Sequence, residues 1–227
     1  TPVSHASPGR DADDKSQNMS HYDAVTIEGA NKSQALLDRI LDAAESCFDR
    51  FGVDKTSMEE VATAADLSRG YVYKRVGNRD ALVLSVLVRR AARFADRARS
   101  FIASRASLAD ALVDGVLLAV AMADRDPYFG MLVGSAVLDP EHRLKGAPQA
   151  ALRLTDEAWR PTLAKARLEG QLRPGVEIDD VVLWIMNVQI SLLASRRSFG
   201  HTDAEQDRQL RALLVPAAVS YTHLTLP

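Results

Sequence analysis

The sequence predicts an all-α protein in two domains, a small three-helix unit and then a larger helical bundle. Apolar residues recur at helical spacing through most of the 227-residue chain, while strict alternation of β-branched and aromatic residues is rare. Apolar residues make up 47% and aromatics only 6%, an Ala/Leu/Val-rich balance that lets helices approach closely. A third observation is local: residues 56–79 read as two short helices around a tight turn.

Residues 1–31 are polar and aperiodic, with Pro2, Pro8 and the cluster Asp11, Asp13, Asp14, and are expected to form a disordered lead-in. The chain opens on Thr, and Met19 offers an alternative start just before the patterned region. Over 33–50, Leu37, Ile40, Leu41, Ala44, Phe48 and Phe51 form one apolar stripe of a helix that Gly52 ends. Thr56 and Ser57, with Glu59 and Glu60 three residues on, carry the capping-box pattern of a helix start. Val61, Ala62 and Ala65 give that helix one face. Asp66 tolerates the left-handed turn, Leu67 is an apolar plug, and Ser68 is a second N-cap. From Ser68 onward Arg69, Lys74, Arg75 and Arg79 appear with no acid among them. Two short helices across such a turn, the second of one charge sign, form the helix-turn-helix pattern, whose second helix lies in the DNA major groove.

Asn78 caps a helix running to about residue 103, longer than a DNA-reading unit needs, and it is expected to link the two domains. Its arginines (Arg89, Arg90, Arg93, Arg97, Arg99) read as a solvated, ion-paired face. Ser107 with Asp110 opens the next helix, in which Gly115 either admits a close neighbour or is simply tolerated. Asp126-Pro127 starts another and Asp139-Pro140 closes it, with 141–147 a loop. The helix over 148–169 contains Pro161, expected to kink or split it after Trp159, and such a kink either opens a cavity or leaves none. Residues 181–193 are apolar nearly all round, which predicts burial on all sides: one against the protein's own bundle, the other against a partner subunit. A last amphipathic helix spans 203–215, and 216–227 lose the helical period, a tail in which a non-native extension from Tyr221 is one expectation.

Ile40-Leu41-Asp42-Ala43-Ala44, Phe48, Gly52, Thr56, Val61-Ala62, Ala65, Ser68, Gly70, Tyr73, Arg79 and Leu82 together resemble the N-terminal domain of TetR-family transcriptional regulators. Three departures stand out: Asp66 in place of the family's turn glycine, Val76 in place of an aromatic, and Gly77-Asn78-Arg79 in place of proline-serine-lysine. The resemblance implies a homodimeric regulator, with 32–78 as DNA-binding domain and 79–215 as ligand-binding and dimerisation domain. It implies repression relieved by a small apolar or amphipathic effector, in the cytoplasm. By the same resemblance Thr56 and Ser57 would meet phosphate, and Arg69, Gly70, Tyr71 and Lys74 would face base edges or the groove floor. Tyr73 and Arg79 would grip the DNA backbone, and Val72 would point into the core. The alternative is a helical protein–protein adaptor that has lost DNA binding, against which the four retained cations argue.

Bulky apolar residues mixed with a few polar ones make Leu112, Val116, Tyr128, Met131, Leu132, Ser135, Thr155, Trp159 and Asn187 the expected ligand pocket. Val182, Ile185, Gln189, Ile190, Leu193, Leu210, Leu213 and Leu214 are the expected dimer interface. Nothing points to an enzyme, a metal site or a cofactor. His5, His21, His142, His201 and His223 share no ligand spacing, Cys47 is the only cysteine, and there is no glycine-rich phosphate loop or Gly-x-Ser-x-Gly elbow. A net charge of −2 excludes a globally basic nucleic-acid coat but not a local basic face. One cysteine suits a reducing compartment, and no apolar run of ~18 residues is expected to cross a membrane.

Overall fold

The structure, a computed structural model, describes the backbone of residues 11–137 and 144–220, and the side chains of residues 31–132 and 144–220. The described residues form helices, with no strand and one isolated antiparallel bridge between Leu172 and Val219. The chain divides into two compact units, Thr1–Gly77 and Asn78–Pro227.

The first unit holds α1 (Asp11–Phe51), α2 (Met58–Ala64) and α3 (Arg69–Val76). Ile40, Ala44 and Phe48 of α1 are buried with Val61 and Ala62 of α2 and Val72 of α3. The expected disordered lead-in is instead helical from Asp11. No proline or glycine interrupts the sequence between Gly9 and Gly29, and once the apolar stripe has nucleated the helix, each further residue adds a backbone bond.

The second unit holds α4 (Arg79–Ala103), α5 (Leu108–Arg125), α6 (Pro127–Val137), α7 (Ala147–Leu168) and α8 (Ile178–Phe199). After these come α9 (Asp203–Gln209), a π-helical turn Leu210–Leu214, and α10 (Val215–Ala218). Asn78, Ser107 and Thr202 each accept a backbone N–H from the first turn they cap. α5 touches α4, α6, α7, α8 and the C-terminal segments, and its buried Leu112, Val113, Val116 and Val120 make it the central helix. The Asp139-Pro140 stop lies outside the described residues.

Four expectations change here. Pro161 does not split α7, which is one helix from Ala147 to Leu168. Proline removes the donor that would have met the Glu157 carbonyl, and the Arg99 Nε–H takes that carbonyl instead, at 3.0 Å. The tail does not begin at 216: Val215, Ala218, Val219 and Ser220 are buried. The Arg173 N–H donates to the Ala218 carbonyl and the Ser220 N–H to the Gln171 carbonyl, both at 2.8 Å. α8 does have the length and apolar composition of a membrane-crossing helix, yet Val181, Val182, Ile185, Ile190, Leu192 and Leu193 are buried inside the unit, as in a core helix. Nor is α8 buried all round, for Leu183 and Trp184 stand exposed on it.

Candidate nucleic-acid interface and ligand cavity

Ser57 caps α2 in a complete capping box. Its N–H and hydroxyl both donate to Glu60 Oε2 at 2.8 Å, and its Oγ accepts the Glu60 N–H at 3.2 Å. Those two hydrogen bonds from Ser57 hold the Glu60 carboxyl below the ordinary glutamate range. α2 ends in a Schellman arrangement, with the Leu67 N–H on the Ala62 carbonyl and the Asp66 N–H on that of Thr63, both at 3.0 Å. Asp66 sits at φ 50°, the only left-handed non-glycine among the described residues. Arg39 of α1 clamps this turn: its Nε–H donates to the Ala65 carbonyl and its Nη2–H to that of Asp66, both at 2.6 Å, with the Asp66 carboxylate 3.6 Å away. Sequence reasoning missed Arg39, because its only mark there is a polar residue beside the apolar stripe.

Ser68 caps α3 by accepting the Tyr71 N–H at 3.2 Å, and Gly77 at φ 81° ends the helix. Val72 is buried and anchors it, as expected. Arg69, Gly70, Tyr73 and Lys74 are exposed, and Tyr71 is half-buried. The Arg69 guanidinium lies 5.4 Å over the Tyr73 ring and 3.6 Å from Glu59. A Cβ at Gly70 would meet nothing within 4 Å, so internal packing does not demand a glycine there. Arg75 is exposed as well, but its Nη2–H donates to the Ser33 carbonyl at 2.8 Å.

Thr56 does not offer a hydroxyl to phosphate: it is 3% exposed, and its Oγ1–H donates to the Gly52 carbonyl at 2.9 Å. Ser57 remains exposed, but its hydroxyl is committed to Glu60. Arg79 is the first residue of α4, in the second unit. The Cys47 thiol is buried and burial raises its pKa, which makes it inert. Among the described residues no three His, Cys, Asp or Glu side chains gather in a metal-binding group.

Within the second unit a cavity of about 50 Å³ lies among α4, α5, α6, α7 and α8. Small residues open it: Ala91, Ala95 and Ala98 on α4, Gly115 and Ala119 on α5, and Ala151 and Ala158 on α7. Phe94, Phe129, Leu132, Leu154, Trp159 and Met186 complete most of the wall. A Cβ on Gly115 would fall 2.7 Å from the Trp159 ring, so the glycine is there for the indole. Of the expected pocket residues, Leu132, Thr155 and Trp159 line the cavity. Leu112 and Val116 are fully buried in packing elsewhere, and Met131 is not on the wall. Tyr128 lies under the Arg90 guanidinium at 4.3 Å, and Asn187 is exposed. The Ser135 side chain is outside the described residues. Pro161 lines a separate, open cleft of about 450 Å³ with Arg99, Arg105, Thr162 and Lys165.

The expected dimer face is also revised. Val182, Ile185, Ile190, Leu193, Leu210 and Leu214 are buried in the unit's own core, and Gln189 and Ile190 line the cavity. Only Leu213 of the expected set is largely exposed, at 73%, and it shares a groove with Trp184, 53% exposed, and with Asn187, Val188 and Ser191. Helix period explains the swap: the core side of α8 takes 182, 185 and 193, which leaves 184, 187, 188 and 191 on the other side.

Two short capped helices across a left-handed turn, the second exposing Arg69 and Lys74, form a helix-turn-helix unit of the DNA-reading class. Residues 40–86 match the sequence model of bacterial regulatory proteins, tetR family. That match covers only the N-terminal domain, and fold alone is what the neighbours below share with the rest of the chain. No curated protein sequence matches the chain. Its fold is similar to that of RolR in complex with resorcinol, at a TM-score of 0.66 and 14% identity over 85% of this chain and 91% of that one. Thermus thermophilus FadR with lauroyl-CoA aligns at 0.60 and 21% identity, over 84% and 98% of the two chains. Bacillus subtilis FadR with stearoyl-CoA aligns at 0.53 and 14% identity, over 80% and 98%.

Proposed function

We propose that the protein binds a specific DNA operator through α3 as a homodimer, and that a small apolar or amphipathic effector in the inner cavity releases it. One observation carries the reading: an eight-residue helix anchored by buried Val72 turns Arg69, Gly70, Tyr73 and Lys74 outward and contains no acid. A cationic helix face with an open glycine suits close approach to a phosphate-lined groove. The second copy seats on the Trp184–Leu213 face, which leaves large apolar side chains in water in a single chain. Effector and operator then lower each other's affinity by one common factor.

The test is a gel shift on the DNA flanking the protein's own gene, at rising salt. Retarded bands that fade steeply with salt are expected. Absence of salt-sensitive binding to any duplex of that neighbourhood would favour an adaptor of the same fold. Leu213→Glu should give folded monomers by sedimentation, and an unchanged dimer would place the interface elsewhere.

A further inference from the structure

The described walls of the inner cavity carry no charge, and two of their polar side chains make no hydrogen bond to another described residue. Among the described lining residues there is no Asp, Glu, Lys, Arg or His. The Thr155 hydroxyl is committed, donating to the Ala151 carbonyl at 2.9 Å. Trp159 and Gln189 are different: neither the indole N–H nor the carboxamide has a hydrogen-bond partner among the described residues. Both side chains stand on the cavity wall, whose other described residues are apolar apart from Thr155.

From this we infer that the effector is a compact, uncharged molecule, an apolar ring or short chain bearing one oxygen acceptor that bonds to Trp159 and Gln189. The inference rests on the reading of this cavity as the effector site. A charged ligand would lose its hydration against described walls that hold no counter-ion, and a pure hydrocarbon would leave both polar groups unpaired. Size sets the other limit. At about 50 Å³ the cavity is smaller than the ~150 Å³ known to hold a benzene, so even one ring must displace a wall. Half-buried Met186 has the rotatable thioether chain to move aside.

The experiment titrates three near-isosteric probes into the full-length protein by calorimetry: acetophenone, isopropylbenzene and benzoate. Because the hydrocarbon gains more from leaving water, the readout is the acetophenone-to-isopropylbenzene affinity ratio across variants. Gln189→Leu should lower that ratio about tenfold, and Trp159→Phe should lower it in the same direction. Ala151→Leu, which fills the cavity, should abolish binding of both neutral probes, and benzoate should not bind. A ratio unchanged in both polar variants, benzoate binding as tightly as acetophenone, or no neutral probe binding the wild type would each overturn the assignment. Operator affinity is measured separately with acetophenone present. A Gln189-dependent ratio with no effect on DNA would uphold this ligand class and refute the effector role of the cavity.

Discussion

The helix-turn-helix unit and the inner cavity are built by opposite uses of side chains. In the first unit polar groups are spent on the backbone: Ser57 and Ser68 cap helices, Glu60 answers Ser57, and Arg39 holds the Ala65 and Asp66 carbonyls. In the second, the cavity exists because side chains are missing, with alanine or glycine at 91, 95, 98, 115, 119, 151 and 158. A unit that must present a fixed surface gains from directional bonds. One that must admit a guest gains from space and from a wall, such as Met186, that can yield.

That contrast predicts unequal responses to mutation. The largest stability loss is expected at Trp159→Ala, about 3–5 kcal/mol by urea unfolding, because the indole fills the space beside Gly115. A loss below 1 kcal/mol would mean that the cavity collapses freely and is no fixed site. Arg39→Ala should cost less stability, about 1 kcal/mol given its partial exposure, yet weaken operator binding, since it frees the turn that aims α3. Unchanged DNA affinity in that variant would separate the turn from recognition.

Ser57→Ala should cost about 1 kcal/mol, the usual worth of an N-cap. The Glu60 carboxyl is held below its ordinary range, so its share of the capping box is intact above the unfolded glutamate pKa and fades as pH falls through the lower folded value. The Ser57 amide resonance followed by NMR between pH 6 and pH 2 should shift in wild type and not in Glu60→Gln. Asp66→Gly is expected to do least: it relieves a left-handed residue but gives up the Arg39 pairing. Its effect should fall within about 0.5 kcal/mol, and a larger loss would show that the ion pair outweighs the strain.

What was legible in the sequence divides along the same line. Caps at Ser57, Ser68, Asn78 and Ser107, and the turn at Asp66, are local signals, and each falls where its residues foretell. The side of a helix that meets the core depends on its neighbours, and there the reading failed. Val182, Ile185 and Leu193 look like an interface yet face inward, while Trp184 looks like core yet faces out. A cavity was expected, if at all, from a kink at Pro161, but the small residues of α4, α5 and α7 make it, and seeing that requires knowing that those helices face one another.

The central claim is that α3 reads DNA, and fluorescence anisotropy of a labelled operator duplex tests it most directly. Affinity is measured over a salt series for wild type and for Lys74→Ala, an exposed residue that packing does not need. The account predicts a steep loss of wild-type affinity with salt, and in the variant weaker binding with a slope shallower by about one unit. Identical affinities and slopes for the two proteins would contradict it.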